Sequence, residues 1–231
     1  MFKKLLITTL ALTFVFSNLN NAQAIDRYIT VLATGNTKVK PDTVRINATT
    51  SNIAENSKIA LSNTSELSSK VRSVLSSNSI AKNYIKSSAI TVFPEYNYTA
   101  DKGSVLVGYK ASQTFEIIVR NAASAGKLVD ALVGEVGDGL TIDGVTPYVF
   151  DQSVASANAR VSAVKQARVK ATSYAKLLGV QLGKIINLEE SGATSQPPLM
   201  MSAAKSDSGG TVIDLGTQDI SVNISTKWAI N

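Results

Sequence analysis

The chain has 231 residues, 23 of them Lys or Arg and 17 Asp or Glu, with neither His nor Cys. Without Cys there is no disulfide, thiolate nucleophile, iron–sulfur ligand or lipid-anchored cysteine, and without His there is no Ser-His-Asp or Cys-His catalysis and none of the usual zinc sites. A hydrophobic content of 44% against 17% charged residues is that of a globular chain with a real core, not of a disordered one.

Residues 1–24 read as an export signal. Lys3 and Lys4 give a positive start, Leu5 to Phe16 is almost wholly apolar, and Ala22-Gln23-Ala24 supplies the small-x-small pattern cut by signal peptidase. The apolar run of 12 residues is short of the roughly 20 that a spanning helix needs. No later segment is long and apolar enough to span a bilayer, so no transmembrane segment is expected after cleavage. Removing residues 1–24 leaves 21 basic against 17 acidic residues, a net charge of +4. The Lys-rich, Asn- and Ser-rich usage suggests a bacterial host, and with it a periplasmic location, envelope-associated or secreted.

Tyr28 to Thr34 reads as a first strand stopped by Gly35. After Pro41-Asp42, Val44, Ile46 and Ala48 alternate with Arg45 and Asn47, the period-two sign of a half-buried strand. From about 54 to 77 the period changes. Ala60, Thr64, Leu67, Val71, Val74 and Leu75 fall three and four apart, as on one face of an amphipathic helix. Two strands follow, 90–98 and 105–120, joined by the turn residues Asp101-Lys102-Gly103. Pro94 cannot donate to a ladder and marks an edge or a bulge. Ser124 is placed to cap a short helix that ends at Gly137 and Gly139. A strand over 146–150 leads to a second long helix, capped by Asp151 or Ser153 and stopped near Gly179. Its apolar stripe is read as Ala157, Val161, Val164, Ala171, Ala175 and Leu178. Residues 185–190 form a strand, and 191–210, rich in Ser, Gly, Pro and Met without period, read as a mobile loop. Ile220, Val222, Ile224, Thr226, Trp228 and Ile230 alternate along the last strand, with Trp228 in the core.

The fold class that follows is α+β, an antiparallel sheet with long helices packed on one face. A β-α-β-β-α-β run near 43–150 fits a ferredoxin-like core. The additional helix and terminal strands either complete that sheet or build a second small unit.

Four stretches carry a resemblance. They are Ile29-Thr30-Val31-Leu32-Ala33-Thr34-Gly35 with Pro41-Asp42; Pro94-Glu95-Tyr96-Asn97-Tyr98 with Leu106-Val107-Gly108-Tyr109-Lys110-Ala111-Ser112; the series Ala159-Arg160, Ala163-Val164, Ala167-Arg168, Lys170-Ala171, Leu178-Gly179, Leu182-Gly183; and Thr211-Val212-Ile213 with Gly216. In this order they resemble the SIMPL-domain family, also called DUF541, with one domain over 25–231. Its exported bacterial members include an oxidative-stress defence protein and a periplasmic antigen. Ala33 and Asn158 depart from the family's usual Gly and acidic residue, and the Pro often found near Val212 and Leu215 is absent. The resemblance implies an α+β fold, export and self-assembly, since some relatives form ring-like oligomers. It implies no reaction.

Each candidate site has a plainer reading. Gly134-Glu135-Val136-Gly137-Asp138-Gly139 lacks the ending of a phosphate loop and follows a helix, so it reads as helix termination. Asp138, Asp143 and Asp151 match no calcium-loop spacing. Arg160, Arg168 and the nearby lysines read as a solvated helix face or as salt bridges to an oligomer neighbour; nucleic acid is not an expected partner. Tyr96, Tyr98 and Tyr109 read as cross-strand pairs, with a contact surface as the alternative. Glu95, Glu189 and Glu190 offer carboxylates, but nothing places two of them in one cleft. No catalytic, cofactor-binding or metal-binding residue is assigned, and no cofactor is expected. The function expected is that of a non-enzymatic, self-assembling envelope or stress-tolerance protein. The alternative is a periplasmic binding module for an envelope partner or small ligand, with the loop over 191–210 as its cover.

Overall fold

The computed structural model describes residues 27–195 and 209–231. The export signal read over 1–24 and most of the predicted loop lie outside them. The fold is mixed α/β, with two antiparallel sheets and three α-helices in the described residues.

The first strand, β1 (Tyr28–Val39), runs through Gly35 instead of stopping there. The reason is packing. A Cβ on Gly35 would lie 2.0 Å from the carbonyl oxygen of Ala159, so the missing side chain lets a helix backbone touch the strand. Next come β2 (Thr43–Ala54) and α1 (Ser57–Ser77), whose first turn is capped by the Asn56 side chain accepting from Ile59 N at 2.9 Å. The hairpin β3 (Ile85–Thr99) and β4 (Gly103–Val119) turns at Gly103, which has φ +67°. Then follow α2 (Ala125–Val136), β5 (Leu140–Tyr148), α3 (Ser153–Leu177), β6 (Leu182–Ser195) and β7 (Gln218–Ile230). Strand β6 thus occupies 191–195, the start of the segment read as a loop; residues 196–208 lie outside the described chain.

One sheet has the order β3-β4-β2-β5 and the other β1-β7-β6. The extra helix and terminal strands therefore build a second unit instead of completing the first sheet. On the four-stranded sheet, Val44, Ile46, Phe115 and Ile117 meet Val71 and Leu75 of α1 and Leu128 and Leu132 of α2. Toward the start of α1 the contact turns small and polar. Ser68 is buried where the apolar periodicity favours Leu67, and its hydroxyl lies 2.8 Å from Thr50 Oγ1, while Thr64 Oγ1 donates to the Ala111 carbonyl. Every hydroxyl in this seam has a partner, which offsets the cost of burying it.

On the three-stranded sheet, α3 lays down Ala159, Ala163, Ala167, Ala171 and Ala175 against Val31, Ala33, Val222 and Ile224. This corrects the predicted stripe. Only Ala171 and Ala175 of it are buried; Val161 is 70% exposed, and Val164 and Leu178 also face solvent. The buried row runs strictly in steps of four, an i±4n ridge fitted to a twisted strand. Ser124 makes no cap bond either; its hydroxyl donates to the Asn121 carbonyl, and the Asn121 side chain accepts from Ala123 N. The sequence reading of Gly137 as the stop of α2 agrees with its φ of +74°.

Candidate functional site

Strand β4 pairs with β2 from Val119 back to Tyr109, where β2 ends at Ala54. Beyond that point β4 has only β3 beside it, from Pro94↔Tyr109 to Thr99↔Gly103. The six residues 103–108 and their partners form a two-stranded arm about 20 Å long, at 3.4 Å per residue. Its root is a bulge: Glu95 pairs with Gly108 and Tyr96 with Leu106, leaving Val107 unmatched. Gly108 is required there, because a Cβ would come 2.5 Å from the Ala54 carbonyl oxygen.

The arm is apolar and open. Tyr96, Tyr98, Val105, Leu106 and Val107 are all exposed, Tyr98 at 78%, and Phe93 and Ile90 extend the apolar surface along β3. Tyr96 stands across from Leu106, Tyr98 across from Ser104, and Tyr109 across from Pro94. The three tyrosines therefore do not stack as cross-strand pairs. The alternative reading, a contact surface, is the one their exposure allows. Glu95 sits at the root of the arm, remote in the chain from the other two candidate carboxylates.

Those carboxylates are engaged elsewhere. Glu190 on β6 receives Arg160 Nε of α3 at 3.0 and 2.9 Å on its two oxygens. That hydrogen bonding holds the Glu190 carboxyl below its ordinary pKa and raises that of Arg160. The Arg160 pair is thus made within the chain, across the α3–β6 contact, and not to a neighbour. Glu189 accepts from Asn187 Nδ2. Asp143 accepts from Thr49 Oγ1 and Asp151 from Ser153 N, and among the described residues no group of three His, Cys, Asp or Glu stands close enough to hold a metal. Trp228 is half buried against the α3 core and donates Nε1 to Thr226 Oγ1.

A second cluster, centred on Asp42, lies where the two sheets join. Asp42 Oδ1 accepts from Phe150 N at 3.0 Å and from Thr43 Oγ1 at 2.8 Å, and its carbonyl accepts from Ala122 N. Gln218 of β7 accepts from Val149 N at 2.8 Å. The Arg120 guanidinium carbon lies 3.5 Å from the Phe150 ring centroid. Burial raises the Asp42 pKa, but the bonds from Phe150 and Thr43 and the Arg120 charge outweigh it and leave the carboxyl below its usual range. A third link is the extended segment 211–217. Thr211 donates from N and Oγ1 to Asp130 on α2, and Ile213 and Leu215 pack onto the α1–α2 core before the chain enters β7. These groups position backbone.

Comparison with known proteins now gives the family. The model of SIMPL, described as a protein of unknown function (DUF541), matches residues 29–228. The chain belongs to this family. It is 29% identical over 182 residues to the 26 kDa periplasmic immunogenic protein of Brucella melitensis biotype 1, covering 77% of this chain and 70% of the relative. The protein of the same name from Brucella abortus is likewise 29% identical over 77% of this chain and 70% of its own. A protein of Edwardsiella ictaluri named "Uncharacterized protein YggE" is 26% identical over 74% of this chain and 70% of that one. None of these names is that of an enzyme. No helix among the described residues is long and apolar enough to cross a membrane.

Proposed function

We propose that this SIMPL protein is exported, loses residues 1–24, and acts in the envelope as a self-assembling, non-enzymatic protein in homeostasis or stress tolerance. The single observation that carries assembly is the β3–β4 arm, which holds Tyr96, Tyr98, Val105, Leu106 and Val107 in water on a ribbon with no third strand. A monomer gains nothing by this exposure, and contiguous apolar surface of this kind marks contact sites. The names of the Brucella relatives, which place those proteins in the periplasm, support export. The Cys-free composition and a total of three Met residues, Met1 among them, make direct oxidant scavenging a poor mechanism, so a protective role is indirect.

The reading extends to the fold. The strand order β3-β4-β2-β5, with α1 and α2 on one sheet, supports a ferredoxin-like plait over 43–148 to which α3, β1, β6 and β7 are added. The Ala-rich face of α3 packs on the chain's own sheet and is not free for a neighbour.

A photo-crosslinking residue separates assembly from mere exposure. With benzoylphenylalanine at Tyr98 in residues 25–231, irradiation is expected to give covalent homo-oligomers. The same residue at Ser62, on the exposed side of α1, is expected to give none. Monomers only at both positions, or equal crosslinking at both, rejects the arm as the contact.

A further inference from the structure

We propose that a cavity at the far end of β3 from the arm binds a small organic oxyanion carrying a short hydrocarbon chain, of the size of a medium-chain carboxylate. The cavity, about 270 Å³, is bounded by Arg72 and Ser76 of α1, Ile80 of the turn after it, Lys82 of the next short helical turn, and Ile85 and Ser87 of β3. Two kinds of surface meet there. Ile80 and Ile85 are half buried and continuous with the core beneath the four-stranded sheet, which gives an apolar floor. Arg72 and Lys82 give the rim two positive charges.

Those charges are uncommitted. Among the described residues the ion pairs are Arg45–Glu116, Lys70–Glu66 and Arg160–Glu190, and neither Arg72 nor Lys82 is paired with a carboxylate there. Arg72 is nonetheless held in place, its guanidinium carbon 5.2 Å from the centroid of the buried Phe115 ring. A stacked guanidinium keeps its planar fork of donors for an oxyanion. A competing reading has the two cations merely offset the partial negative charge at the end of α1. The carbonyls there are already engaged, however: Val74 O, Leu75 O and Ser76 O accept from Asn78, Ile80 and Ser79 N. The Ser76 and Ser87 side chains add hydroxyl groups to the same wall.

The volume decides the size of the occupant. Ligand sites usually span about 300–1,000 Å³, so this one takes a single short chain and cannot enclose a two-chain phospholipid. Charge selects an anion, the isoleucine floor selects a hydrocarbon, and neither alone satisfies the site. The proposal does not rest on assembly through the arm, which lies at the other end of β3.

Calorimetric titration of residues 25–231 with sodium octanoate tests it. Saturable one-to-one binding is expected, with octan-1-ol and inorganic phosphate each at least tenfold weaker. The double variant Arg72→Gln/Lys82→Gln should lose at least tenfold in affinity while keeping the parent's melting temperature. In a second variant, Ile80→Glu, a carboxylate on the cavity floor should abolish binding. Amide shifts on titration should centre on Ile85 and Ser87. No saturable binding at millimolar octanoate, equal binding of phosphate, or unchanged affinity in the double variant would overturn the site. So would binding to phosphatidylglycerol vesicles without binding to free octanoate, since that source is a membrane surface and not an enclosed chain.

Discussion

Asp42 shows how much one exposed carboxylate can organise. Through its side chain and its carbonyl it ties the start of β2 to Phe150 before α3 and to Ala122 before α2. Hydrogen bonds to a charged group contribute about 1.5–3 kcal/mol each before solvent screening, and the exposure of Asp42 discounts that. Asp42→Ala is expected to destabilise the fold by about 1–3 kcal/mol in urea denaturation, with the m-value unchanged. The pH dependence has a definite sign. Asp42, Asp130 and Glu190 all have folded pKa values below their ordinary ones. Their contribution is therefore complete above the unfolded values near 4 and is lost as pH falls through the lower folded values. The melting temperature should drop from about pH 5 to about pH 3, and less steeply in Asp42→Asn, which cannot titrate. A flat profile over that range would contradict the role. The sequence marks Pro41-Asp42 as the start of a strand, but a clamp on the backbone of Phe150 was not legible, because a backbone N–H has no residue type to betray it.

Among the elements, α3 was the least legible. Its real contact row is five alanines, and the valines that hydropathy favours look outward. Hydropathy ranks Val and Leu above Ala, whereas the fold needs side chains small enough for the helix backbone to reach Gly35. The row of alanines in steps of four was the available signal. The period-two strands β2 and β7 were plain, since Val44, Ile46 and Ala48, and Ile220, Val222 and Ile224, alternate inward as their spacing indicates. The structure makes the contrast testable. Ala163→Leu should cost about 1–3 kcal/mol or more by overpacking, and Gly35→Ala should be comparably damaging. Val161→Ala should stay within about 0.5 kcal/mol of the parent. Thermal melts of the three variants check this; a costly Val161→Ala beside a silent Ala163→Leu would restore the stripe read from hydropathy.

At the scale of the molecule, the free strand edges are mostly blunted against pairing. Edge strand β3 has a register shift at Ala89, which has φ +45°, and lacks an N–H at Pro94; β5 carries Pro147 and a bulge beside Asp143. On β1, Lys170 of α3 reaches over to donate to the Leu32 carbonyl at 2.9 Å. Assembly by joining these edges is therefore disfavoured, and the side chains of the arm remain as the exposed adhesive surface. A stable contact of ordinary size needs about 800 Å² per partner, which the two faces of a ribbon about 20 Å long can approach. Sedimentation velocity of residues 25–231 at tens of micromolar, beside the variant Tyr96→Ser/Tyr98→Ser/Leu106→Ser, is the decisive measurement. An oligomer is expected for the parent and a folded monomer for the variant; a monomeric parent, or a variant that assembles just as well, would contradict assembly through the arm.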